Sequence, residues 1–221
     1  MSLIIKICGL KKPEALDVAL ESGADMVGFV FFAPSPRNLA LETARLLGER
    51  VKSRAGKVAL IVDADDQTLD AIVEALKPDL LQLHGSESPE RVAAVRARFG
   101  LPVMKALPIA DRKDLARIDL YKKIADRILF DARAPQDATR PGGLGQPFDW
   151  SLLRGIDPGT PFLLSGGLNA GNVAEALRIT RAGGVDVSSG VEHAPGEKDP
   201  DKIRAFIRTA RAAEAALAVN A

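Results

Sequence analysis

PFLLSGGLNAGNVAEALRITRAGGVDVSSG, residues 161–190, decides how this chain folds. Two short apolar runs, PFLLS (161–165) and GVDVSS (184–189), both end in serine, and glycine follows each. Between them the apolar residues of 170–181 recur at helical spacing. A strand, a helix and a strand in this order make a crossover unit, because parallel strands need a connection far longer than a hairpin turn.

The same unit repeats toward the N-terminus. Runs of strand character lie at LIIKIC (3–8), MVGFVFF (26–32), KVALIV (57–62), LLQLH (80–84), PVMKAL (102–107) and RILFDA (127–132), making eight in all, with starts 22 to 34 residues apart. The intervals read as helices. PEALDVALESGAD opens on Pro13 and stops near Gly23, and SPERVAAVRARFG has Ser88 as cap, Pro89 at the first helical position and Gly100 as the stop. Further helical patterns fall at 39–50, 66–76 and 199–217, with weaker ones at 111–123 and 149–155. Near-continuous apolar strands alternating with amphipathic helices predict a parallel sheet covered by helices. Eight units close into a (β/α)8 barrel, and no dinucleotide fingerprint follows the first strand to favour an open sheet. One TIM-barrel domain spanning 1–221 is expected.

Composition narrows the function. Thirty Lys and Arg balance 29 Asp and Glu, a formal net charge of +1, so there is no basic excess for nucleic acid. Cys8 is the only cysteine, which excludes an intramolecular disulfide and a CxxC metal site. MSLIIKICGL is too soon interrupted by Lys6 for a signal peptide or a membrane span. A cytoplasmic protein with no membrane partner is expected.

In such barrels the chemistry sits at the C-terminal ends of the strands. Those positions hold Cys8, Phe31 to Arg37, Asp63, His84, Lys105, Asp131 to Arg133, Ser165 to Gly167 and Asp186 to Gly190. The loops after strands 7 and 8 are the usual phosphate site, and Gly166, Gly167, Ser188 and Ser189 stand there. Asp131 closes an apolar strand, where desolvation suits a carboxyl to general acid work; its structural alternative is a pair with Arg133. Cys8 is either a small buried hydrophobe or, beside a cation, a base or nucleophile. Arg37 lies in the Pro-braced FFAPSPRNL and has the geometry to clamp a carboxylate, or is a solvated loop charge. Two dispersed histidines, His84 and His193, make no metal signature. Phe148 and Trp150 read as core packing.

These motifs together, KICGL, GFVFFAPSPRNL, LQLHGSE, GGLGQPFDW, LSGGLNAGNV and VDVSSGVEHAPGEKD, resemble the phosphoribosylanthranilate isomerase family nearly end to end. The resemblance implies that Cys8 is the general base and Asp131 the general acid of an Amadori rearrangement. It implies that Arg37 holds the anthranilate carboxylate, that Gly166, Gly167, Ser188 and Ser189 bind the sugar phosphate, and that His84 and Asp186 contact substrate. Leu144 departs from the family, which more often has a hydroxyl residue there, and Gly142, Gly143 and Gly145 are expected to form a lid. No cofactor and no metal are implied. The partner is a small phosphosugar, and a monomer is expected, with a homodimer as the alternative. Other readings are a different phosphosugar isomerase or epimerase, one accepting a histidine-pathway aminoaldose, or a silent phosphate-binding barrel.

Overall fold

The computed structural model describes residues 2–219 apart from 136, 137, 139–141, 143, 144 and 146. Eight parallel strands close into a barrel in chain order: β1 (Ile4–Cys8), β2 (Met26–Phe31), β3 (Gly56–Ile61), β4 (Leu80–Leu83), β5 (Val103–Ile109), β6 (Arg127–Ala132), β7 (Phe162–Leu164) and β8 (Gly184–Val187). Closure is made by β8 against β1, with Lys6 opposite Asp186.

Five helices follow their strands as the periodicity predicts: α1 (Pro13–Glu21), α2 (Leu41–Val51), α3 (Asp66–Leu76), α4 (Pro89–Phe99) and, after β7, α6 (Val173–Thr180). The Ser88 hydroxyl accepts the Arg91 N–H at 3.2 Å and Gly100 ends α4 in the left-handed region, so the cap and the stop of that segment are both used. The two weaker patterns differ. Residues 111–123 hold a 3-10 turn, Arg112–Arg117, running into a single helical turn, α5 (Ile118–Tyr121), because Asp111 and Asp114 cap each other's backbone in a box that nucleates there. Residues 149–155 hold only a 3-10 turn, Trp150–Leu153. Beyond β8 a small hairpin, β9 (Glu192–Ala194) with β10 (Glu197–Lys198), precedes α7 (Pro200–Val219). No helix among the described residues is long and apolar enough to cross a membrane.

Strand alternation divides the interior into two shells. Ile5, Ile7, Val27 and Phe29 turn outward and pack under the helices in one continuous cluster. Val58, Leu80, Met104, Leu129 and Leu163 turn inward and fill the barrel, with Ile4 and Met26 against them. Two residues further along the same strands come Lys6, Gln82, Asp131 and Ser165, all buried. The period of two therefore stacks a polar layer on an apolar one, toward the C-terminal mouth.

Candidate active site

A cavity of about 480 Å³ opens at that mouth. It is lined by Cys8, Arg37, His84, Asp131, Asp186 and the loops carrying Gly166, Gly167, Ser188 and Ser189, so every residue to which the family resemblance gives a role faces one space. Gly142 and Gly145 of the expected lid line it too, as does Phe148, which the sequence alone presents only as packing. Gly143 and Leu144 lie outside the described residues.

Asp131, at the end of β6, is buried. Its Oδ1 accepts the Ala132 N–H at 2.9 Å, and its Oδ2 lies 3.0 Å from His84 Nε2. Nδ1 of the same ring is 2.8 Å from Gln82 Nε2, giving a chain from Gln82 through His84 to Asp131. The alternative pairing with Arg133 is not made; Arg133 bonds Asp114 instead. Both ring nitrogens of His84 thus meet protein groups, while the ring also lines the cavity.

Cys8 belongs to a second polar set. Lys6, two residues earlier on the same face, is fully buried and reaches Asp186 Oδ1 at 2.8 Å across the β1–β8 closure. Burial pushes the Cys8 thiol up from its ordinary value, while the neighbouring Lys6 ammonium pulls it back and Asp186 adds to the rise. Burial also acts to lower Lys6, yet Asp186 and Cys8 hold it above its usual range. Lys6 is the cation that a basic role for Cys8 requires beside the thiol. The signal was present as a lysine inside an otherwise apolar strand.

Arg37 is held rather than solvated. Its Nε and Nη2 each donate at 2.7 Å to Glu192, a fork-to-fork pair that fixes the plane of the guanidinium at the cavity wall. Glu192 also accepts from Lys198 Nζ at 2.8 Å, and Lys198 donates to the Ser188 carbonyl at 2.9 Å. Burial lowers Lys198 to about 8 despite the Glu192 carboxylate beside it. Glu192 itself stays below its ordinary value, since Arg37 and Lys198 outweigh the effect of burial. Neither residue was among those expected, because both follow the last strand in a stretch without periodicity.

The two glycine loops border the same cavity. Gly166 has φ +85°, and a Cβ there would stand 2.5 Å from the Ala132 nitrogen, so no other residue brings the β7 loop this close to β6. Asn172 caps the loop by accepting the Asn169 N–H at 2.8 Å and donating to the Gly167 carbonyl at 3.0 Å. α6 begins at the next residue, and the first N–H groups of a helix lack internal acceptors, which favours an anion. The Ser188 hydroxyl donates to the Cys8 carbonyl at 3.1 Å, tying the loop after β8 to the strand that carries the thiol.

Asp63 and Lys105 do not join the cavity. Lys105 points away from the barrel axis and bonds Glu87 and the Gly85 carbonyl, both at 2.8 Å, under the loop after β4. Asp63 accepts the Ser86 N–H there. Among the described residues no three His, Cys, Asp or Glu side chains stand together in a way that would hold a metal ion.

Residues 5–209 match the family model of N-(5'-phosphoribosyl)anthranilate isomerase. A relative of that name from Bradyrhizobium diazoefficiens is 65% identical over 97% of this chain and 96% of its own. Among solved structures, the phosphoribosyl anthranilate isomerase of Thermotoga maritima superposes with a TM-score of 0.86 at 36% identity, covering 95% of this chain and 99% of the other. A structure of such an enzyme with reduced 1-(o-carboxyphenylamino)-1-deoxyribulose 5-phosphate gives 0.83 at 34% identity, over 95% and 99%.

Proposed function

This chain belongs to the N-(5'-phosphoribosyl)anthranilate isomerase family, and on that premise we propose that Asp131 is the general acid and Cys8 the general base of its Amadori rearrangement. The reaction converts N-(5-phosphoribosyl)anthranilate to 1-(2-carboxyphenylamino)-1-deoxyribulose 5-phosphate in tryptophan biosynthesis. The observation that carries the assignment is that Cys8 and Asp131, from β1 and β6, line one cavity together with both glycine loops.

Asp131 gives its proton to the ribose ring oxygen. The C1–O bond breaks with its electrons going to that oxygen, while the nitrogen lone pair forms a C=N bond and leaves an iminium. Cys8, as thiolate, takes the C2 proton; the electrons form the C1=C2 bond, and the C=N pair returns to nitrogen as an enolamine. The enolamine then tautomerises to the ketone. A thiol raised by burial is mostly protonated at neutrality, and two nearby cations, Lys6 and the substrate iminium, favour its ionised form at the step that needs it. Acid and base come from different strands, so the two proton transfers are separate and require neither metal nor organic cofactor.

Phosphate on the Gly166, Gly167, Ser188 and Ser189 loops and carboxylate on Arg37 would hold the sugar at both ends, with Asp186 and His84 bordering it. Such positioning lowers the barrier by removing orientational freedom before the reaction. All these residues come from one chain and one barrel, so a monomer of this single domain suffices; the cytoplasm is the compartment proposed for it.

The test is loss of anthranilate fluorescence with substrate generated in situ, with and without EDTA. Cys8→Ser and Asp131→Asn are each expected to lose turnover severely while keeping the fold, and the unmodified protein should be indifferent to EDTA. Full turnover in either variant would overturn that residue's role.

A further inference from the structure

Gln82 is a fully buried amide in the middle of β4, between Leu60 and Met104 on the neighbouring strands. Its Nε2 meets His84 Nδ1 at 2.8 Å, and its Oε1 has no hydrogen-bond partner among the described residues. An orphaned buried carbonyl is unfavourable, and a leucine would fill the same layer without one. Packing therefore does not account for the amide; its hydrogen bond to His84 does.

An amide nitrogen donates and does not accept. An ionised Asp131 only accepts, so it places the single hydrogen of the neutral ring on Nε2, 3.0 Å from Oδ2; Nδ1 is then the acceptor, and the Gln82 amide turns its nitrogen toward it. While Asp131 is ionised it enforces that arrangement itself. Once Asp131 is protonated the choice opens. With hydrogen on Nδ1, the bare Nε2 would accept the carboxyl's proton and hold it away from the sugar. With Gln82 donating to Nδ1, Nε2 stays a donor in both states and cannot take that proton.

We infer that Gln82 is a positioning residue that locks His84 as a donor and so keeps the Asp131 proton directed at the substrate. The inference rests on Asp131 being the acid.

The test is side-chain 15N NMR of histidine, with His193→Asn removing the only other one. Asp131→Asn serves as the neutral stand-in for the protonated carboxyl. In that background Nε2 should carry the hydrogen, and adding Gln82→Leu should move it toward Nδ1. In the otherwise unmodified enzyme, Gln82→Leu should leave stability equal or higher and substrate affinity little changed. It should also lower the single-turnover rate by about tenfold or more, as loss of a tautomer-fixing group does. Should the leucine variant not fold, Gln82→Met takes its place, and the spectrum with Gln82 present needs no variant there. Hydrogen on Nδ1 with Gln82 in place would overturn the inference, as would a Gln82→Leu enzyme of unchanged rate. A fully active Asp131→Asn enzyme would instead remove the acid assignment, while the tautomer spectra still decide the Gln82–His84 contact.

Discussion

A side-chain carbon placed on Gly28 would stand 2.8 Å from the Sγ of Cys8. The two residues are register partners on β1 and β2, so a strand without a side chain at this point is what gives the thiol its place in the barrel mouth. Gly28→Ala should cost about 1–3 kcal/mol by overpacking. It should also displace the sulfur, and a shift of about 1 Å at a reacting group lowers turnover roughly 100-fold. Steady-state kinetics with urea unfolding would separate the two effects. An alanine variant of ordinary kcat would mean that the thiol's position is not critical.

Lys6 and Asp186 form a buried pair that also sets the charge beside Cys8. Lys6→Met alone leaves Asp186 buried and unpaired, a loss of about 3–5 kcal/mol. Adding Asp186→Leu should restore part of that stability, since an apolar pair of similar volume is often neutral. For activity the sign follows from the charges. Lys6 lowers the thiol and Asp186 raises it, so removing Lys6 should move the rising limb of kcat/KM to higher pH. A limb that stays in place would separate Cys8 from the titrating base.

Much of this was legible in the sequence because strands ending in reactive residues recur at a regular spacing, and the C-terminal ends of barrel strands are where chemistry collects. Eight strands and the strong helices lie where their periodicity puts them, while 111–123 and 149–155 reduce to short turns whose local caps compete with a long helix. Lys6 and Gln82 were harder to find. Both sit inside strands buried on two faces, where hydrophobicity cannot show which side is the barrel axis, and only the parity with Cys8 and His84 reveals it. Glu192 and Lys198 had no periodicity at all to mark them.

Glu192 holds Arg37 by a bidentate fork and bonds Lys198 at its other side. Glu192→Gln keeps the shape and removes the carboxylate charge that Arg37 and Lys198 share. The expected results are a stability loss of about 3–5 kcal/mol and a rise in KM of about tenfold or more as the guanidinium loses its fixed plane, with kcat less affected. A collapse of kcat at unchanged KM would place Arg37 in the chemical step instead of in substrate binding.

Lys198 makes a well-formed ion pair with Glu192 and yet titrates low, at about 8 instead of 10.5. Burial is the larger influence, and the Arg37 cation opposes protonation as well. Between those two values the unfolded chain binds more protons at this residue than the folded one, so stability contributed by Lys198 rises with pH across that window and is lowest below it. At 1.36 kcal/mol per pH unit the gain is about 3 kcal/mol. Urea unfolding from pH 7.5 to 10.5, taken as the difference between the unmodified protein and Lys198→Met, should show that rise. A flat difference would mean that Lys198 titrates as an ordinary lysine, and a fall with pH would mean that the Glu192 pair outweighs burial after all.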